Sequence, residues 1–399
     1  MSLPIRPLTS DDEVRTAFDV FLRAMVGLPI RDVDARTLVE PGRQLGAFDG
    51  DRLVGTVDSY TSWLTVPGGQ RVPHAAVTHV GVLPTHTRRG IVTALVTEQL
   101  RDIAARGEVL ASLRASEAVI YERFGYAVAS SSTSARLARR RGGLRATVPA
   151  SGQVRIADGA EGASAVPALY DRAAWVGSIR RPDEWWRLRR LGAAHDLAPT
   201  YTVIHSTDGT DDGYAVYTPV DTHGWFTSAE RVVTVSDFVA LSESAYRGLL
   251  RHFLDLDLVD VVAFASLPVD DPLPTLLADQ RALTWGSPRD ETWLRIIDVE
   301  RALAARTFDD GDPVVLRVTD DRLPGNEGCY EIGPKTVTRT DAEPDLVADV
   351  AALAAAYLGG TGWWQLARAG RVEERTPGAV GRADRLFATP RAPFAGTSF

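Results

Sequence analysis

The stretch Ala75 to Gly107, AAVTHVGVLPTHTRRGIVTALVTEQLRDIAARG, constrains the fold of this chain more than any other. Ala75 to Val82 is short and β-branched and predicts a buried strand with Val80 and Val82 on one face. Pro84 ends it, because proline has no N–H for the ladder. Ile91, Ala94, Leu95 and Leu100 then keep helical spacing until Gly107 supplies a stop. Thr87-Arg88-Arg89-Gly90 falls at the start of that helix. The first amides of a helix lack partners, and the dipole adds about half a positive charge there. Gly90 lets a ligand approach the backbone, and Arg88 and Arg89 add cations that fork onto phosphate oxygens. The predicted ligand is a pyrophosphate. A basic helix start that binds nothing would carry the same local sequence.

A chain of 399 residues predicts two or three domains. Its 45% apolar and 24% charged residues are those of a globular protein. The net charge of −8 argues against nucleic acid as a partner and suits cationic substrates. The single Cys329 excludes an internal disulfide framework, and no Cys/His spacing predicts a metal site. Residues 1–10 show no signal-peptide pattern, and no apolar run is long enough to span a membrane. The expected location is the cytoplasm.

Ile5 to Leu8 predicts a strand, and Ser10-Asp11-Asp12-Glu13 caps a helix through about Met25. Gln44 to Phe48 and Leu53 to Tyr60 form a hairpin around Asp49-Gly50. Val109 to Leu113 predicts the strand after the central helix. Ala118 to Phe124 predicts a short helix ending at Gly125, with Tyr121 inside it. After a linker near 145–150 the order of elements repeats. Val154 to Ile156 begins a strand and a helix. A second Asp-Gly hairpin follows at Asp208-Gly209. Val232 to Val235 and Tyr246 to Leu250 echo the central strand and helix. The echo sets Ala245 and Tyr246 at the positions of Thr87 and Arg88, with Glu243 adding a negative charge. Trp175, Trp185 and Trp186 suit packing or an interface. A third unit opens with a strand at Leu294 to Val299 and a helix at Glu300 to Arg306. Val314 to Thr319 predicts another strand, and Asp345 to Leu358 a single apolar helix.

The pattern V-x-V-x-P-x-x-x-R-x-G entering a helix resembles motif A of the GCN5-related N-acetyltransferases, with departures at Thr87 and Val92. Tyr121 to Tyr126 resembles that family's second signature. The third unit resembles the sterol carrier protein fold. VGVLPTHTRRG, ASEAVIYERFGY, WLRIIDVERAL and the tail LFATPRAPFAGTSF together resemble the Eis family of actinobacterial N-acetyltransferases. The resemblance implies a mixed α/β and α+β fold in three parts. Residues 1–148 would be a catalytic acetyltransferase domain and 149–291 a degenerate copy. Residues 292–399 would be a sterol-carrier-like domain whose C-terminus enters the active site.

The resemblance further implies acetyl-CoA as cosubstrate and no metal. Val80, Gly81, Val82, Arg88, Arg89, Gly90, Ile91, Val92, Thr93, Ser116 and Glu117 would contact acetyl-CoA. Tyr121 would protonate the departing thiolate, and the carboxylate of Phe399 would be the base. His79 is the alternative base, and Asp19 and Trp63 are candidates for the amine pocket. The implied reaction acetylates primary amines of aminoglycoside-like cations or lysine side chains, in a cytoplasmic homohexamer, without nucleic acid or membrane as a partner. Two other readings stay open: a tandem aminoacyl transferase using aminoacyl-tRNA, and a non-catalytic acyl-CoA or lipid carrier.

Overall fold

A computed structural model of the chain describes residues 3–26, 28, 34–195 and 198–397. Its elements begin with β1 (Ile5–Pro7), α1 (Asp11–Met25), β2 (Leu45–Asp49), β3 (Arg52–Thr65), β4 (Arg71–Val82), α2 (Ile91–Ala105) and β5 (Leu110–Leu113). The side chain of Ser10 caps the Glu13 amide, and Glu13 reaches back to the Ser10 amide. The β2–β3 turn is Gly50-Asp51, one residue later than predicted. Asp49 pairs with Arg52, and Gly50 takes φ +61°.

Strand β4 carries a bulge. Thr78 pairs with Asp58 and Gly81 with Thr56, so His79 and Val80 oppose Val57 alone. The extra residue switches the alternation. Ala75 and Val77 before it, and Val82 after it, enter one apolar cluster with Ile91 and Leu95 of α2, and Val80 packs against that cluster. Strand β5 runs parallel to β4 and pairs with it only from His74 to Ala76. The same edge of β4 has no ladder from Val77 to Val82 among the described residues.

The next elements are β6 (Ala127–Ala138), β7 (Gln153–Ala157), α3 (Gly159–Tyr170), α4 (Asp183–His195), β8 (Tyr201–Thr207), β9 (Thr210–Pro219), β10 (Val232–Ala240), α5 (Glu243–Asp255), β11 (Val261–Pro268), α6 (Leu273–Leu276) and β12 (Leu283–Trp285). Strand order β7-β8-β9-β10-β11-β6 holds a separate core that includes Val203, Val235, Leu249 and Phe253. The order of elements repeats as expected, but one register changes. Ala245 and Tyr246 are not in the loop before α5. Ser242 caps the Ala245 amide and the helix starts at Glu243, so both residues lie in its first turns.

The remaining elements are β13 (Arg289–Ile296), α7 (Val299–Ala305), β14 (Val314–Thr319), β15 (Gly328–Ile332), β16 (Val337–Thr340), β17 (Leu346–Asp349), α8 (Val350–Tyr357), α9 (Trp363–Arg368), β18 (Val372–Glu374) and α10 (Ala379–Phe387). The second sheet has the order β16-β15-β14-β17-β18. Two predictions are corrected here. Strand β13 starts earlier than Leu294 and pairs antiparallel with β5, with Trp293 opposite Leu113, while Val299 opens α7 behind its cap Asp298. The single helix predicted over Asp345 to Leu358 is a strand followed by a helix. Leu346 to Asp349 pairs in parallel with β14, and α8 begins where Asp349 caps the Ala352 amide. Every residue of α8 is buried, so its sequence shows no polar face by which to locate its start. Beside it, burial pulls the Arg306 guanidinium down to about 10. Arg306 donates to the carbonyls of Tyr357 and Phe387, the last residues of α8 and α10.

The fold divides into two compact units. One holds residues up to 130, 175–188 and 291 onward; the other holds 131–174 and 189–290. No helix among the described residues is long and apolar enough to cross a membrane.

His74 is fully buried, and its Nε2 lies 2.8 Å from the Ser112 hydroxyl. Desolvation pulls its pKa from 6.5 to about 3. The unfolded chain gains a proton below pH 6.5 that the folded chain refuses until about pH 3. Stability contributed by neutral His74 is therefore present above pH 6.5 and is lost as pH falls through that window, on the order of 5 kcal/mol. Urea unfolding between pH 7 and 4 should show a flatter pH slope in His74→Gln than in the parent.

Candidate active site

The start of α2 is bare. Gly90 occupies the cap position at φ +79° with no side-chain cap, and no acidic residue stands in the first turn. The first helical bond runs from the Ala94 amide to the Gly90 carbonyl at 3.0 Å, which leaves the amides of Ile91, Val92 and Thr93 for a ligand. Arg88 takes φ +61°, and Arg88 and Arg89 are exposed. Asp49 tethers the loop, 3.2 Å from His86 Nε2 and 3.5 Å from Arg89 Nη1. A Cβ on Gly90 would meet nothing within 4 Å, so the space beside the free amides is open. A groove lined by Ile5, Gly90, Thr93, Thr97 and Arg101 continues along α2. These features fit a pyrophosphate on the amides.

From Val77 to Val82 the unpaired edge of β4 offers alternate N–H and C=O groups to an extended, amide-bearing ligand. On the opposite face to α2, His79 sits at the bulge with φ +49°. Its Nδ1 is 3.2 Å from Oδ2 of Asp58, which is completely buried, and Phe18, Phe21 and Tyr60 meet the ring edge-on. Its Nε2 has no hydrogen-bond partner among the described residues and is not one of the sealed polar atoms. Gly81 beside it faces α1, where a Cβ would stand 3.1 Å from the Phe21 backbone.

Tyr121 lies between two 3₁₀ turns, Ala118–Ile120 and Glu122–Phe124, where the sequence predicted a short helix. The turn closes at Gly125 with φ +85°, and Arg295 packs directly behind it: a Cβ on Gly125 would lie 2.8 Å from the guanidinium Nε. Arg295 Nη2 itself donates to both carboxylate oxygens of Asp320 at 2.7 Å, completely buried. Gly125 is thus required twice, for its dihedral and for its missing side chain. The Tyr121 ring packs edge-on against Tyr126 at 6.1 Å. Desolvation pushes the Tyr121 phenol up to about 12, so it keeps its proton through neutral pH. Its hydroxyl has no protein partner among the described residues and, unlike that of Tyr126, is not sealed.

Val82, Ile91 and Tyr121 share one apolar cluster, with Val80 and Val92 packed against it. Ser116 and Glu117 are exposed on the loop between β5 and Tyr121. Phe399 lies outside the described residues. The last described residue is Thr397, whose carbonyl accepts from Arg114 at 2.6 Å, just after β5. Asp19 is exposed on α1, and the half-buried Trp63 lies 3.8 Å beneath the Arg71 guanidinium. Sequence reasoning passed over Asp58, Arg114 and Glu291. Asp58 alone left a signal, a carboxylate inside the otherwise uncharged strand Leu53 to Tyr60.

With this geometry in hand, comparison with known proteins gives one order throughout. Acetyltransferase (GNAT) domain models match residues 4–129 and 177–296, and a sterol carrier protein domain model matches 299–396. The chain is 35% identical to an uncharacterized N-acetyltransferase of Streptomyces griseus over 99% of both chains. It is 32% identical to the N-acetyltransferase Eis of Mycobacterium tuberculosis over 86% of this chain and 85% of that one. The crystal structure of Eis1 from Mycobacterium abscessus matches with a TM-score of 0.94 at 55% identity, covering 99% of this chain and 100% of that one. A GCN5-related N-acetyltransferase from Anabaena variabilis shares the fold at 22% identity and a TM-score of 0.85. The expected fold class, two acetyltransferase-like domains and a sterol-carrier-like one, is the fold found.

Two glycine variants separate support from binding. Gly125→Ala should cost about 1–3 kcal/mol through strain and the clash with Arg295, visible as a lower Tm. Gly90→Ala meets no neighbour and carries only the strain of its positive φ, about 1–2 kcal/mol. Its effect should appear instead as weaker CoA binding in calorimetry.

Proposed function

This chain belongs to the Eis family of N-acetyltransferases, and we propose that it carries acetyl groups from acetyl-CoA to primary amines of cationic small molecules of the aminoglycoside kind, at several amines where the acceptor offers them, or to lysine side chains. The observation that carries the reading is the pairing of a bare helix start behind Arg88 and Arg89 with the open edge of β4. The first holds a pyrophosphate and the second an amide-bearing arm, and the pantetheine and diphosphate of CoA supply both. The N-acetyltransferase relatives favour this over aminoacyl transfer from tRNA and over a carrier. The net charge of −8 adds a long-range pull on cationic acceptors. The same family membership is the basis for proposing a cytoplasmic homohexamer, which light scattering would test.

In the proposed reaction an ammonium first loses a proton to the base, because a protonated amine has no lone pair. The neutral amine attacks the thioester carbonyl carbon. The oxyanion takes a backbone N–H from Val80 to Val82. The C–S bond then breaks, the thiolate takes the Tyr121 proton, and the second amine proton, lost from the nitrogen of the intermediate, returns to the phenolate. A phenol held up to about 12 by burial remains a donor throughout the working range. The base proposed is the carboxylate of Phe399. The contact between His79 and buried Asp58 gives a second candidate, since the carboxylate would orient the ring.

Thiol release from acetyl-CoA with an aminoglycoside acceptor tests the activity, and no release with any polyamine-like acceptor would contradict it. Tyr121→Phe should slow turnover about 10²- to 10⁴-fold with little change in CoA affinity. Deleting Phe399 should nearly abolish turnover, while His79→Gln should leave most of it. The reverse pattern would make His79 the base.

A further inference from the structure

The last described residues, Phe394 to Thr397, are gripped by charged side chains that the proposed chemistry leaves without a task. Glu291 is completely buried. Its Oε2 accepts the Ala395 amide at 2.8 Å and the Ser130 hydroxyl at 2.9 Å, and its Oε1 accepts the Gly396 amide at 3.0 Å. Arg114 lies 3.1 Å from the same Oε1 and donates to the Thr397 carbonyl at 2.6 and 3.1 Å. From the other side, Arg181 donates to the Thr397 hydroxyl and the Gly396 carbonyl, both at 2.9 Å. The Arg181 guanidinium lies 4.4 Å from the centre of the Trp185 ring. The Trp175 indole donates to the Phe394 carbonyl at 2.8 Å, and the Phe394 amide donates to the Val176 carbonyl at 3.0 Å. Gly177, at φ +92°, clears the way: a Cβ there would stand 2.8 Å from the Phe394 nitrogen.

Chain ends ordinarily fray. Ala395 and Thr397 are here 0% and 2% exposed. Burying the Glu291 carboxylate beside the Arg114 guanidinium adds little stability, because desolvation offsets the attraction. What it does provide is geometry. Nearly all these bonds go to backbone groups of the tail, so they fix its path, and Arg181 holds the Thr397 hydroxyl as well. Arg114, which holds the final described carbonyl, directly follows β5 and precedes the loop to Tyr121.

On the reading that the terminal carboxylate is the base, we propose that Glu291, Arg114 and Arg181 are positioning residues. They hold Ala395 to Thr397 so that the end of the chain is delivered to the acetyl-transfer site. They touch neither substrate nor reacting atoms. Their contribution is to the fraction of time that the base is in place, so it enters kcat and spares CoA binding.

The test uses the full-length chain. Glu291→Gln keeps the shape and removes the charge, and Arg181→Lys keeps the charge and removes the fork. Arg181 lies on a separate segment, so it carries the test if Glu291→Gln does not fold. Hydrogen exchange at the amides of Ala395 and Gly396, kcat, and KM for acetyl-CoA are measured together. The expected result is exchange at least ten times faster, kcat at least ten times lower and KM changed less than threefold, with Glu291→Asp recovering part of kcat. Unchanged exchange, or faster exchange with unchanged kcat, would overturn the positioning role. The Phe399 deletion separates the two ideas. Full activity in that deletion overturns the terminal base itself. An inactive deletion beside a fully active Glu291→Gln overturns only the positioning.

Discussion

Strands β4 and β5 part company after three paired residues, and the rest of the site depends on that parting. A β-bulge at His79 turns β4 as it leaves Ala76, so the pair cannot zip further. The cost is a stretch of unpaired backbone and a non-glycine residue at positive φ, both of which a purely structural strand avoids. In exchange, the strand presents free peptide groups immediately before a loop that delivers free amides at the start of α2. Two kinds of unsatisfied backbone thus lie in sequence along one path, and a ligand that is part amide and part diphosphate satisfies both.

The second copy of the same supersecondary unit starts its helix differently. Helix α5 starts with Ser242 on the Ala245 amide and Glu243 in the first turn, so its donors and its dipole are satisfied internally. Helix α2 has neither. The strands do not differ in this way: the parallel pairing of β10 with β11 also ends, at Val235, beside a bulge before Asp237. One supersecondary unit therefore appears twice, and the difference lies at the helix start, in a few polar side chains.

Much of this was legible in the sequence. The Pro84, Arg88-Arg89-Gly90 and Gly107 punctuation marks a strand, an anion loop and a helix because each residue acts locally. The Ser10 box and the repeat of Asp-Gly hairpins are local as well. What escaped is what depends on distant partners. Leu346 to Asp349 is a strand because β14 offers it an edge, and no polar face marks where apolar α8 begins. Ala245 and Tyr246 were misplaced because Tyr246-Arg247-Gly248 imitates the earlier loop, whereas the Ser242 cap decides where the helix starts. Glu291 and Arg114 read as ordinary surface charges until the tail is folded onto them. Gly125 was visible as the end of a turn, but the buried Arg295 behind it was not.

These features place Tyr121, the bare amides and the anchored tail in one compact unit, built from residues up to 130, 175–188 and 291 onward. The most direct measurement of the central claim is a crystal structure of the chain with CoA bound. The account predicts diphosphate oxygens about 3 Å from the amides of Ile91, Val92 and Thr93, and the pantetheine arm running beside Val80 to Val82. CoA seated elsewhere, with those amides left to water, would contradict it.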